Sequence, residues 1–153
     1  MAADLELHYR VAGDIERVIV PERRTPRRAD KLWQHTCFEA FVRDVRAPGY
    51  VELNFSPSGE WAAYRFTGYR AGMQEADTAT PRVAIHREVD MLEMDVSIDL
   101  DSLQDLSRAV ELQLALSAVI EERQRGLSYW ALAHPDARPD FHHAGGFTLR
   151  IDS

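Results

Sequence analysis

The chain has 153 residues and one cysteine, with 45% hydrophobic residues, 28% charged residues and a net charge of −7. That length suits one domain, 1–153, with a sizeable core. The negative balance argues against nucleic acid, the lone cysteine excludes an intrachain disulfide, and no apolar run is long enough to span a membrane.

The opening MAADLELHYR lacks the apolar stretch of a secretory leader, so a soluble chain of unassigned compartment is expected. Residues 5–11 alternate, with Leu5, Leu7, Tyr9 and Val11 on one face, the period of a half-buried strand. Gly13-Asp14 ends that strand, and Val18 to Val20 suggest a short second one. Residues 21–31 hold Pro21, Pro26 and the basic run from Arg23 to Lys31, and read as a solvated loop. Residues 36–42 alternate with Phe38, Ala40 and Val42 on one face and Cys37, Glu39 and Phe41 on the other. Residues 50–56 place Val51, Leu53 and Phe55 opposite Glu52, Asn54 and Ser56. Ser56-Pro57-Ser58-Gly59 is a turn signal and residues 61–66 resume as a strand, so 50–66 reads as a hairpin.

Residues 69–80 show no period and read as a surface loop. Two strands follow, over 83–88 and 92–100. Asp101 to Leu106 is the one credible helical turn, with Asp101 or Ser102 as its cap. Helix competes with strand over 103–123, but the alternation of Val110, Leu112, Leu114, Leu116, Ala118 and Ile120 favours a strand. Residues 127–133 read as a strand with Tyr129 and Trp130 on opposite faces, 134–146 as a loop, and 147–151 as the last strand. About eight to nine short strands with little helix predict an all-β, antiparallel sandwich of jelly-roll type.

LWQHTCFEAFV, followed by NFSPSGEW, resembles the DOMON-like domains, relatives of the family 9 carbohydrate-binding modules. Shared features are a Trp-containing loop entering a strand, with Glu six residues after the Trp, here Trp33 and Glu39, and the strand–turn–strand from Asn54 to Trp61. The resemblance covers residues 5–152 and is specific only in this region. It implies the same sandwich and a bound ligand, which is a sugar in some members and haem in others. It also implies that Trp33 and Glu39 contact that ligand.

The residues themselves offer an aromatic and polar constellation. Sugar binding needs flat apolar rings against the C–H face of a pyranose and a few fixed polar groups at its hydroxyls. Trp33, beside Gln34 and His35, and Trp130 are candidate aromatic walls. Glu39, Glu52, Asn54 and Arg65 are candidate polar groups, with Arg65 as the expected partner of the Glu39 carboxylate. The alternative is that both tryptophans are core residues and the carboxylates form a solvated or ion-paired face. His134, Asp136, Asp140, His142 and His143 have metal-ligand chemistry, but no ordered element fixes their spacing, and a polar, metal-independent loop is expected. Haem would need an axial ligand, and Met73, Met91 and Met94 have no evident histidine opposite and no CxxCH is present. No cofactor is expected.

His35 and Cys37 share a face without an orienting third group, and a Glu39/Glu52 pair has no better claim to hydrolysis than any two neighbouring carboxylates. The expected function is therefore non-catalytic binding of a small ligand, most simply a carbohydrate, with no nucleic-acid or membrane partner. The competing classes are a protein-interaction or structural sandwich, a haem carrier and a glycan-active enzyme.

Overall fold

The computed structural model describes residues 4–106 and 111–152. Ten strands form two antiparallel sheets, and no α-helix occurs among the described residues. The smaller sheet orders β1 (Asp4–Ala12), β7 (Met91–Asp99) and β6 (Arg82–Glu88), with β7 central. The larger has seven strands. Along its main path run β10 (Leu149–Asp152), β8 (Glu111–Glu122), β2 (Cys37–Asp44), β3 (Tyr50–Phe55), β4 (Trp61–Phe66) and β5 (Gln74–Glu75). The seventh, β9 (Gly126–Ala131), pairs with residues 117–122 of β8, while β10 pairs with residues 111–114. Both lie on the edge of β8 away from β2, and the loop between them leaves that edge.

The alternating residues of the two sheets meet as one core. Leu5, Leu7 and Tyr9 of β1 and Leu92, Met94, Val96 and Ile98 of β7 face Phe38, Ala40 and Val42 of β2 and Val51, Leu53 and Phe55 of β3. This is how an aligned sandwich buries one face of each sheet. The tyrosine hydroxyl of Tyr9 donates to the carbonyl of Glu39 at 2.8 Å, so the core side chain also ties the two sheets through a hydrogen bond.

The larger sheet departs from simple alternation on its other face. In β2, Cys37 to Val42 are all buried, and β3 is buried throughout. Phe41, Tyr50, Ala62, Tyr64, Phe66, Ala115 and Phe147 form a second apolar cluster there. A strand buried on both faces is a two-layer problem, and the second cover comes from the segment after β9.

Four sequence expectations are corrected. Val18 to Val20 form no strand: Val18 makes a single bridge to Glu122. The 69–80 segment holds the two-residue strand β5, which edges β4 through Tyr64 and Arg65 and raises the strand count to ten. The helical turn is a 3-10 turn at Leu100–Ser102, capped by Asp99, whose carboxylate accepts from the Asp101 amide at 3.0 Å. Asp99 ends β7 in an extended conformation, which is the geometry a cap requires. The start proposed at Val110 for the long strand lies outside the described residues, and β8 is described from Glu111. The basic loop is less solvated than its composition suggests. Arg28 lies over the Trp61 ring at 4.5 Å and donates to the carbonyls of Ala63 and Ala76.

Leu53 is fully buried at the centre of β3, so Leu53→Ala is expected to cost about 2–5 kcal/mol in denaturant unfolding. Exposed Val89, in the β6–β7 turn, is expected to tolerate alanine within about 0.5 kcal/mol.

Candidate functional site

The strand register places three polar side chains side by side across the larger sheet. Glu39 of β2 pairs with Ser117 of β8 on one side and Asn54 of β3 on the other. The row continues to Ala131 of β9 and Ala62 of β4, both small. All three polar residues are buried, and each leaves one atom without a hydrogen bond: Glu39 Oε2, Asn54 Oδ1 and Ser117 Oγ. Unpaired buried polar atoms are rare in folded proteins. Of the four among the described residues, three fall in this one row, and the fourth is Trp61 Nε1.

Glu52 lies diagonally from Glu39, paired with Phe41 and Tyr64. Its carboxylate is engaged at both oxygens. His142 Nε2 stands 3.2 Å from Oε1, and Asn54 Nδ2 donates to Oε2 at 3.1 Å. A carboxylate only accepts, so this contact fixes the Asn54 amide with its oxygen as the free atom. Glu39 has no such support. It is 4% exposed, and no cationic side chain among the described residues pairs with it. Burial, and then the Glu52 charge, hold its carboxyl well above the usual carboxylate range. Burial and Glu39 likewise push up the Cys37 thiol, which is fully buried and disfavoured as a thiolate.

Over Glu39 and Glu52 lies a cavity of about 430 Å³, whose lining includes neither Asn54 nor Ser117. Glu39, Glu52 and Phe41 line its base, while Trp33, Tyr129 and Phe141 contribute rings to its sides. Its remaining cover comes from the 139–142 loop, Arg70 and Met73. His142 is wedged among aromatic rings, 5.0 Å from Phe41 and 5.2 Å from Phe66 by ring centroids. Its Nδ1 lies 2.7 Å from the Tyr50 hydroxyl. Asp140 anchors the same loop: it receives the Tyr69 hydroxyl and the Arg70 guanidinium, the latter at 2.8 Å, and accepts from the His142 amide at 3.1 Å. Partial burial pushes the Asp140 carboxyl up, but these three hydrogen bonds and the Arg70 charge outweigh it and hold the carboxyl below the usual carboxylate range. The loop is thus fastened to the outer face by one histidine inside and one carboxylate at its rim.

Trp33 lies in the 3-10 turn Leu32–Gln34 and is 37% exposed, edge-on to Tyr64. It stands at the cavity wall and not in the core. Glu39, Glu52 and Asn54 come together as expected. His35 sits further along the same face, paired with Glu121 at 2.9 Å, and does not line the cavity.

Two candidates lie on the wrong face. Arg65 pairs with Val51, whose side chain is in the core between the sheets, so Arg65 points away from Glu39. It binds Gln74 Oε1 at 2.6 Å and faces Asp105 at 3.9 Å. Trp130 pairs with Ala118, next to Phe38, and also lies on the inter-sheet side. It lines a separate cavity of about 410 Å³ with Tyr9, Ile15 and Phe38 of the core and with the charged side chains of Arg10, Asp14, Arg17 and Glu122. The ring on the Glu39 side is its neighbour Tyr129, paired with Val119, which is in turn beside Cys37. From the sequence, His142 stood out only for metal-ligand chemistry in a polar loop, and Tyr129 and Phe141 were not placed in the site. Tyr129 was one register step away, and His142 had no period to place it.

No family profile matches the chain, and no curated protein matches it. A solved structure does. A crystal structure from Bacteroides uniformis ATCC 8492, named a "putative carbohydrate-binding protein", superposes with a TM-score of 0.68 at 13% identity. The match covers 99% of this chain and 73% of the other. At that identity, the likeness shows a shared fold.

The Glu39 geometry has a consequence for pH. A carboxyl whose folded-state value is raised keeps its proton in the native state where the unfolded chain has lost it. Stability is then full below the ordinary glutamate value of about 4.3 and falls as pH rises through the window above it. Glu39→Gln keeps the shape and removes that slope. The melting temperature of Glu39→Gln, relative to the parent, is expected to rise as the pH is raised above the ordinary glutamate value. A gap independent of pH would mean that Glu39 ionises normally in the fold.

Proposed function

We propose that this chain is a non-catalytic carbohydrate-binding sandwich of DOMON-like, jelly-roll type, and that its ligand enters the cavity on the outer face of the larger sheet. The observation that carries the reading is the pair of carboxyls, Glu39 and Glu52, that line the cavity base beneath the rings of Trp33, Tyr129 and Phe141. The hydroxyls of a sugar suit hydrogen bonding to these carboxyls, while Trp33, Tyr129 and Phe141 offer apolar faces to its C–H bonds. The cavity volume falls within the range of small-ligand pockets. The fold shared with a protein named for carbohydrate binding agrees with this reading.

Absence of catalysis rests on the same residues. Glu52 is tied to His142 and Asn54, and Cys37 is a fully buried thiol, so neither is poised as a nucleophile.

A calorimetric screen of monosaccharides and short oligosaccharides tests the reading, with Trp33→Ala and Trp130→Ala as paired variants. Trp33→Ala is expected to weaken binding roughly tenfold, about 1.4 kcal/mol, with little loss of melting temperature. Trp130→Ala, on the other face, is expected to bind as the parent does. Equal losses in both variants would reject this cavity as the site.

A further inference from the structure

The smaller sheet stops short of the larger one. β1 is an edge strand, and its Tyr9 ring packs on Phe38 of β2, 5.0 Å apart by centroids. β8 and β9 follow β2 on that side of the larger sheet, so their inner faces extend past β1 as a shelf. Trp130 stands on this shelf and is 61% exposed, although it lies on the inter-sheet side. Its indole N–H donates to Ser128 Oγ at 2.9 Å, which ties the ring to the inner face of its own strand. The cavity of about 410 Å³ is the space between the shelf and the run from Tyr9 to Asp14.

β1 has an open backbone edge along the same space. The Gly13 amide donates to the Asp90 carbonyl at 3.0 Å, continuing the register in which Ala12 pairs with Met91. In an antiparallel ladder, residues that bond the neighbouring strand alternate with residues that turn their N–H and C=O away from it. By that alternation Leu5, Leu7, Tyr9 and Val11 bond to β7, while Glu6, His8, Arg10 and Ala12 turn their backbone groups to the open side. None of these four has a backbone partner there among the described residues. A strand of nine residues with no proline and no break in register is a long edge to leave unpaired.

We infer that β1 and the shelf form a docking site for an extended peptide segment of a partner protein, which adds to β1 as a fourth strand of the smaller sheet. A row of N–H and C=O groups at every second residue is matched by another extended backbone. Alternate side chains of the added strand reach the shelf, so apolar residues at every second position complete the match to Ala118, Ile120 and Trp130. The wall from Tyr9 to Asp14 corresponds to about 20 Å of strand. Arg10 is paired with Glu93 and Arg17 with Asp14, so selection rests on the backbone and the apolar side chains and not on charge. The shelf also decides against a second copy of this chain as occupant. Two β1 strands joined in one continuous sheet would bring β8 and β9 of both copies into the same space. This surface is separate from the cavity over Glu39, which lies on the opposite face of the larger sheet.

A displayed library of random twelve-residue peptides, selected on the full chain, tests this, with the enriched peptides then synthesised and titrated while amide hydrogen exchange is read by NMR. Enriched sequences are expected to carry apolar residues at alternate positions. The bound peptide is expected to slow exchange at Glu6, His8, Arg10 and Ala12 at least tenfold. Arg10→Pro removes one outward N–H at a position where an edge strand tolerates proline, and is expected to weaken binding at least tenfold. Trp130→Ala, at an exposed position, is expected to weaken it likewise. Should Arg10→Pro fail to fold, Trp130→Ala and the exchange pattern carry the test. If no peptide is enriched, if bound peptides leave the four amides unchanged, or if both variants bind as the parent does, the docking site is wrong. Slowing of the same amides on raising the protein concentration alone would place a second copy on the edge and overturn the peptide as occupant.

Discussion

The structure turns on the burial of both faces of β2. A strand in the middle of a sandwich ordinarily has one face in the core and one in water. Here the outer face carries Glu39 between Cys37 and Phe41, and it is covered by the loop that follows β9. That cover removes water from a carboxylate without giving it a partner. Two properties of the site descend from this fact: the raised Glu39 carboxyl and the unpaired neighbours on β3 and β8.

The covering loop is held by pairs that consume the nearby charge. His142 reaches in to Glu52 and Tyr50, while Asp140 stays out at the rim with Arg70 and Tyr69. The chain thus satisfies one of the two carboxylates and leaves the other open. Asn54 makes the same distinction, since its amide donates to Glu52 and turns its oxygen toward no protein donor. The neighbouring Ser117 hydroxyl is likewise unmatched. The inter-sheet cavity near Trp130 is walled by core side chains and by Arg10, Asp14, Arg17 and Glu122, with Arg10 paired to Glu93 and Arg17 to Asp14, and none of its residues carries an unpaired buried polar atom.

Much of the fold was legible because a period of two reports directly which residues face the core. β1, β2, β3, β7 and β8 stand where the alternation places them, and Phe38, Leu53, Met94 and Leu114 are buried as it implies. Placing Glu39, Glu52 and Asn54 on one face needed only that rule and the hairpin after Asn54. What alternation cannot supply is which neighbouring strand meets which, and with what offset. Arg65 and Trp130 failed on that point: each is one residue from a side chain on the correct face, Tyr64 and Tyr129. His142 was beyond reach for a different reason. Its position depends on a long loop folding back across the sheet, and only tertiary contacts with Tyr50, Phe41 and Glu52 define that path.

The central claim is that the outer face of the larger sheet, and not the space between the sheets, receives the ligand. Backbone amide shifts recorded by NMR while a bound sugar is titrated in locate the site residue by residue. The account expects the largest changes at 37–41, 52–54, 117–119 and 139–142, with residues 9–18 and Trp130 unmoved. Changes concentrated at 9–18 and Trp130, with Glu39 and His142 silent, would contradict it.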